Sequence, residues 1–142
     1  MNSVALSVPS SLGVVHAPQT PRHPLPSALS RACLVAKVAS DNKGSDIRVL
    51  DLRGITPLFD FFVIATGTSR RQVHTITEEV DAALRAVGDT RNGIEGYEAS
   101  KWVVQDYGDV VLHVFDPDTR DYYKLEELWA DAKTIDWERE GD

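Results

Sequence analysis

The chain has 142 residues, 42% of them apolar, with 15 Lys and Arg against 22 Asp and Glu, for a net charge of −7. That length holds one domain, in which roughly 100 ordered residues bury about 65% of the surface their unfolded chain exposes, and no apolar run approaches the ~18 residues that span a bilayer. Charge is uneven: the first forty residues carry +3 and no acid, whereas from Asp41 onward 12 Lys and Arg face 22 Asp and Glu, a net of −10. An acidic domain repels nucleic-acid backbones, despite the adjacent Arg70 and Arg71, and attracts basic proteins. A lone Cys33 allows no intrachain disulfide and fits a reducing compartment, so a soluble cytoplasmic protein is expected.

Residues 1–26 are rich in Ser, Val and Ala and are broken by Pro9, Pro18, Pro21, Pro24 and Pro26, which predicts a disordered leader. Its serines and lack of acids are shared with organellar transit peptides, the alternative that would send the protein to an organelle; scarce Arg and a missing amphipathic pattern argue against it. Ser27 can cap a helix to about Ser40, with Leu29, Ala32, Cys33, Ala36 and Ala39 on one stripe. After Asp41 to Gly44, Ile47 to Leu52 reads as a first strand, and the run from Asp60 to Thr66, apolar on both faces, as the central strand of a covered sheet.

Gly67-Thr68-Ser69 turns the chain into a helix from Arg70 to Val87, where Ser69 and Gln72 form an S-x-x-Q capping box and Val73, Ile76, Val80, Leu84 and Val87 make the buried stripe. Ile94 to Tyr97 adds a short strand. Trp102 to Phe115 then forms a hairpin, with Gly108-Asp109 as a two-residue II′ turn because Gly108 accepts positive φ. Asp116 and Pro117 place a capping carboxylate and an N1 proline before a last helical stretch, with Leu125, Leu128, Trp129 and Ala132 at helical spacing. The fold class is therefore mixed α/β, a five-stranded mixed sheet flanked by helices, with the domain at residues 27–133 and an acidic tail at 134–142.

The hairpin carries the functional signal. Period-two alternation sets Trp102, Val104 and Asp106 on one face and Val103, Gln105 and Tyr107 on the other; Val111, His113 and Phe115 likewise oppose Val110, Leu112 and Val114. One face is almost wholly aliphatic, while the other mixes aromatic and ionisable groups. A structural role is available to each residue singly: Trp102 under a helix, His113 half-buried and hydrogen-bonded, Asp109 serving the turn. As a set with Tyr107, they favour a surface on which a partner anchors.

Catalytic, metal and cofactor chemistry is nearly present and falls short. The Gly67-Thr68-Ser69 turn lacks the further glycines and the lysine of nucleotide-binding loops, so a metal-dependent nucleotide-binding or nucleotidyltransferase enzyme is only the alternative reading. Its carboxylate pair would have to be Asp116 and Asp118, which the helix start explains as cap and first-turn residues. His113, Asp106 and Asp109 gather around a metal only if Asp109 curls back from its turn, and Ser69 with His74 lacks a third orienting residue. No catalytic residue, metal site or cofactor is expected.

The stretches DIRVLDLRGITPLFDFFVIATGTSRRQV, GIEGY, WVVQDYGDVVLHVF and DTRDYYKLEELWADA, in that order over about residues 28–133, resemble the ribosomal silencing factor family, also called Iojap or RsfS. The resemblance implies a fold similar to nucleotidyltransferases but without their catalytic carboxylates, and a protein that is not an enzyme. It implies binding to the large ribosomal subunit through large-subunit ribosomal protein fourteen, obstruction of small-subunit joining when nutrients are short, and, for organellar relatives, a role in large-subunit biogenesis. The partner-facing motif of the family maps onto Trp102, Asp106, Tyr107, Gly108, Asp109 and His113, with Lys101 and Lys124 beside it, and members self-associate through an overlapping surface. Trp102 or Tyr107 would supply apolar area, and Asp106 and Asp109 would pair with the partner's Lys or Arg.

Overall fold

A computed structural model describes residues 24–140. The predicted leader falls outside the described residues but for its last three positions. Ser27 accepts a hydrogen bond from the Ser30 N–H and starts helix α1 (Ala28–Asp41). Strands β1 (Ser45–Asp51) and β2 (Phe61–Thr66) follow, then helix α2 (Arg70–Ala86), the short strand β3 (Gly93–Glu95), and the hairpin of β4 (Trp102–Asp106) and β5 (Val110–Phe115). Helices α3 (Pro117–Tyr123) and α4 (Leu125–Leu128), strand β6 (Lys133–Ile135) and the helical turn α5 (Trp137–Glu140) complete the chain.

The sheet runs β3-β4-β5-β2-β1-β6, with β2 and β5 parallel and the remaining neighbours antiparallel. All six residues of β2 are buried, as expected of its central place. One face packs under α1 and α2: Val49, Phe61, Val63, Ala65, Leu112 and Val114 meet Ala32, Ala36, Val73, Ile76, Val80 and Leu84. The opposite face carries Leu50, Leu52, Phe62, Ile64, Val111 and Phe115, with Phe59, Leu125, Trp129 and Ala132 packed over it. In the hairpin, parity puts Val103, Val110, Leu112 and Val114 on one face and Trp102, Val104, Val111 and Phe115 on the other, as expected.

Three differences from expectation have local causes. The sheet has six strands, because Lys133–Ile135 pairs antiparallel with Val49–Asp51; a strand of three residues, two of them exposed, carries no apolar alternation to read. The segment expected to be an acidic tail thus begins inside a strand, and Ile135 and Trp137 pack on the α1 side of the core. The last helical stretch breaks at Lys124, whose left-handed backbone (φ 48°, ψ 53°) ends α3 and starts α4. Leu125 is buried, but Leu128, expected on the same buried stripe, is 76% exposed.

Candidate partner-binding face

The hairpin turn is held from both sides. Tyr107 N–H donates to the Val110 carbonyl at 2.9 Å, closing a two-residue turn in which Gly108 takes φ 91°. Asp106 Oδ1 accepts the Gly108 N–H at 2.7 Å, so this carboxylate braces the turn. The Asp109 carbonyl accepts from the N–H groups of Asp60 and Phe61, tying the turn to the entry of β2.

Asp109 already has a cationic partner inside the chain. Arg31, on α1 and only 5% exposed, donates to Asp109 Oδ1 and Oδ2 at 2.9 and 2.5 Å and to Asp89 Oδ2 at 2.8 Å. The Arg31 guanidinium holds the Asp109 carboxyl below the usual carboxylate range, and the Arg31 pKa rises in turn, chiefly through Asp109. Asp109 therefore locks α1 to the hairpin and is turned away from His113. Among the described residues no group of three or more His, Cys, Asp and Glu gathers where a metal ion could sit.

Tyr107 requires a correction. Its side chain is 5% exposed and points under α2, where its hydroxyl donates to Asp81 Oδ1 at 2.7 Å. Burial, with the adjacent Asp81 carboxylate, pushes the phenol pKa far up. It supplies core area and no apolar surface to a partner, because β4 parity turns it away from Trp102. Asp81, itself buried on the apolar stripe of α2, is the sequence signal for that contact, since a buried carboxylate needs a donor. Gln105 on the same face is fully buried, donating to the Thr77 carbonyl and accepting from Arg91.

On the opposite face Trp102 is half-buried, stacked on Phe115 at 4.8 Å between centroids and tilted against Tyr123 at 5.0 Å. Its indole N–H donates to His113 Nδ1 at 3.1 Å. That bond makes Nδ1 the unprotonated nitrogen and leaves the ring's proton on Nε2. Nε2 is buried and has no partner among the described residues. With its residue 6% exposed and Phe62 edge-on at 4.5 Å, His113 is neutral, its pKa pushed down by burial to about 4.

Around this centre lies apolar surface without cover. Tyr123 (51% exposed) packs on Trp102 and Tyr122 (79%) on Tyr123, while Leu58 (72%), next to Phe59, and Leu128 (76%), at the end of α4, are exposed on segments that border the face; Phe59, Val104 and Trp129 are half-buried on it. These residues were missed as surface, although the Tyr122-Tyr123 pair just after a capped proline turn was a visible sign. Lys101 and Lys124 are exposed; the Lys101 carbonyl accepts the Asp116 N–H at 3.0 Å, and Lys124 Nζ lies 3.7 Å from Asp121. The face is thus an aromatic, partly open surface of the kind that anchors proteins.

The Gly67-Thr68-Ser69 turn offers less. The Gly67 N–H donates to the Phe115 carbonyl, the Thr68 N–H to Gln72 Oε1 at 2.5 Å, and the Gln72 N–H to Ser69 Oγ at 3.0 Å. The expected box is shifted by one residue, Gln72 reaching Thr68 in place of Ser69, and these N–H groups already have acceptors. Asp116 caps α3 through the Thr119 N–H at 2.8 Å, and Asp118 lies in its first turn, as their positions implied.

Comparison with known proteins agrees with this architecture. The model of the family described as "Ribosomal silencing factor during starvation" matches residues 26–142. A ribosomal silencing factor RsfS of Halalkalibacterium halodurans is 41% identical over 105 residues, covering 74% of this chain and 90% of that protein. The chloroplastic protein Iojap of Arabidopsis thaliana is 38% identical over 110 residues, 77% of this chain and 45% of the relative. A crystal structure of a Chromobacterium violaceum protein superposes with a TM-score of 0.67 at 41% identity, covering 72% of this chain and 83% of that one. The matched span takes in both sheet faces and the hairpin, and the chain belongs to the ribosomal silencing factor family.

Proposed function

We propose that the chain docks on the large ribosomal subunit through large-subunit ribosomal protein fourteen and, by its bulk, prevents the small subunit from joining, lowering translation when nutrients are short. The observation that carries this reading is the half-covered aromatic face around Trp102 and His113, with Tyr123 exposed against the Trp102 ring and Leu58, Tyr122 and Leu128 exposed on the segments that border it. A net charge near −10 from Asp41 onward favours encounter with a basic ribosomal protein. An interface of ~1,200–2,000 Å² centred on that face is enough, and steric obstruction needs no chemistry. Off the ribosome the same apolar face supports a homodimer, which would compete with docking.

Among the family-motif residues, Trp102 is read as the contact centre, held by the buried His113 that accepts its indole N–H, with Lys101 and Lys124 at the rim. Asp106, Gly108 and Asp109 act by holding the turn in shape, and Tyr107 by supporting it from the core. The reading applies in the cytoplasm, or in an organelle if the leader is a transit segment.

Sucrose-gradient sedimentation tests it: purified subunits are mixed with the chain before magnesium-driven joining. The chain is expected to migrate with the large subunit and to reduce the joined particle. A chain that stays at the top while joining proceeds would refute the proposal.

A further inference from the structure

On the open side of the sheet, strands β1 and β6 and the α3–α4 segment enclose a groove of about 660 Å³. Arg120, only 6% exposed, sits at its floor. Its Nη1 donates to Thr66 Oγ1 at 2.8 Å and to the carbonyl of Asp46, a residue held at φ 49° where the β1–β2 register shifts. Its Nε and Nη2 both donate to one oxygen of Glu126, Oε2, at 3.1 and 3.0 Å. The usual fork engages both carboxylate oxygens. Here Glu126 Oε1 is left buried at the groove with no donor among the described residues.

Charge and shape narrow what could supply that donor. Three cations line the groove, Arg48, Arg120 and Lys124, against four acids, Asp46, Asp121, Glu126 and Glu127. Arg48 and Arg120 lie near Asp46, Arg120 also pairs with Glu126, and Lys124 lies near Asp121; Glu127 makes no ion pair among the described residues. The excess acid disfavours an anion, and the polar floor disfavours a lipid chain. Trp129 forms one wall, its ring set edge to face against Phe62 at 5.7 Å. A flat cation with several N–H donors meets all three conditions, stacking on indole while donating to carboxylate.

We propose that this groove is a receptor for a guanidinium group, stacked on Trp129 and donating to Glu126 Oε1, with Glu127 supplying the balancing charge. The group has two possible sources, a free guanidino compound or an arginine of the docked protein partner. Only the second source rests on the proposed docking.

The test is titration of the full chain, ¹⁵N-labelled, with N-acetylarginine amide, followed at the indole N–H resonances. A saturable shift is expected at Trp129 and not at Trp102 or Trp137. The uncharged isostere N-acetylcitrulline amide should bind at least about 10-fold more weakly, and so should arginine amide to Glu126→Gln. Because Glu126→Gln also disturbs Arg120, the exposed rim variant Glu127→Lys is the second probe, with weakening of about 5-fold expected. Absence of a saturable shift at Trp129, equal binding of the citrulline compound, or binding unchanged in both variants would overturn the proposal. Adding saturating arginine amide to the large-subunit sedimentation assay then separates the sources: competition points to a partner arginine, and its absence to a free compound. A chain that does not bind the subunit would sink the docking reading while leaving the titration readable.

Discussion

The two faces of the sheet are built from the same strands and differ in how completely they are closed. Beneath α1 and α2, each polar group that enters has a named partner: Tyr107 with Asp81, Gln105 with Thr77 and Arg91, Arg31 with Asp89 and Asp109. On the other face α3 and α4 are too short to cover the strands, His113 Nε2 has no partner among the described residues, and Leu58 and Leu128, on the segments that border it, face solvent. A buried polar group costs little when it is satisfied and a great deal when it is not, so the first face is organised for stability. The second keeps a buried donor without an acceptor among the described residues and leaves apolar area uncovered where a partner can reach it.

Substitutions on the two faces should therefore separate stability from binding. The largest effect belongs to the closed face: Tyr107→Ala removes a packed ring and leaves Asp81 without its hydroxyl donor, for a loss of about 3–5 kcal/mol in urea unfolding. Tyr107→Phe, which keeps the ring, should lose about 1–2 kcal/mol by the same measurement. If Tyr107→Ala left the unfolding midpoint unchanged, the side chain would not be in the core.

The pH dependence of stability reports on the open face. His113 titrates near 4 when folded and near 6.5 when unfolded, so the unfolded chain takes up the proton first. Stability should fall as pH drops from about 6.5 to about 4, by on the order of 3 kcal/mol from this residue, with no further change from it below that window. Asp81 and Asp109 have depressed carboxyls, whose stabilisation is lost at still lower pH as each is protonated. His113→Leu should flatten the upper part of the curve; a slope retained in that variant would assign it to another group.

Much of this contrast was legible in the chain itself. Strand parity sorts every hairpin residue onto its face, Ser27, Ser69 and Asp116 announce helix starts, and Gly108 announces the turn, because these are local signals carried by one or two side chains. What was hidden depends on distant partners. Arg31 reaches Asp109 across 78 positions, and no periodicity in α1 marks it as buried. Tyr107 has the right parity but reads as a surface aromatic until α2 brings Asp81 over it. The break at Lys124 was unreadable because a non-glycine residue adopts the left-handed conformation there, and the helix that follows it ends at Leu128, short of the stripe expected to reach Ala132.

The most direct test of the claim that the open face is the docking face uses residues the fold does not need. In the double variant Leu58→Asp, Leu128→Asp both side chains are mostly in solvent, so urea unfolding should move by no more than about 0.5 kcal/mol. Affinity for the large subunit, measured by co-sedimentation, should fall by about 2 kcal/mol or more. Unchanged affinity in a variant that folds normally would contradict the account and remove this face from it.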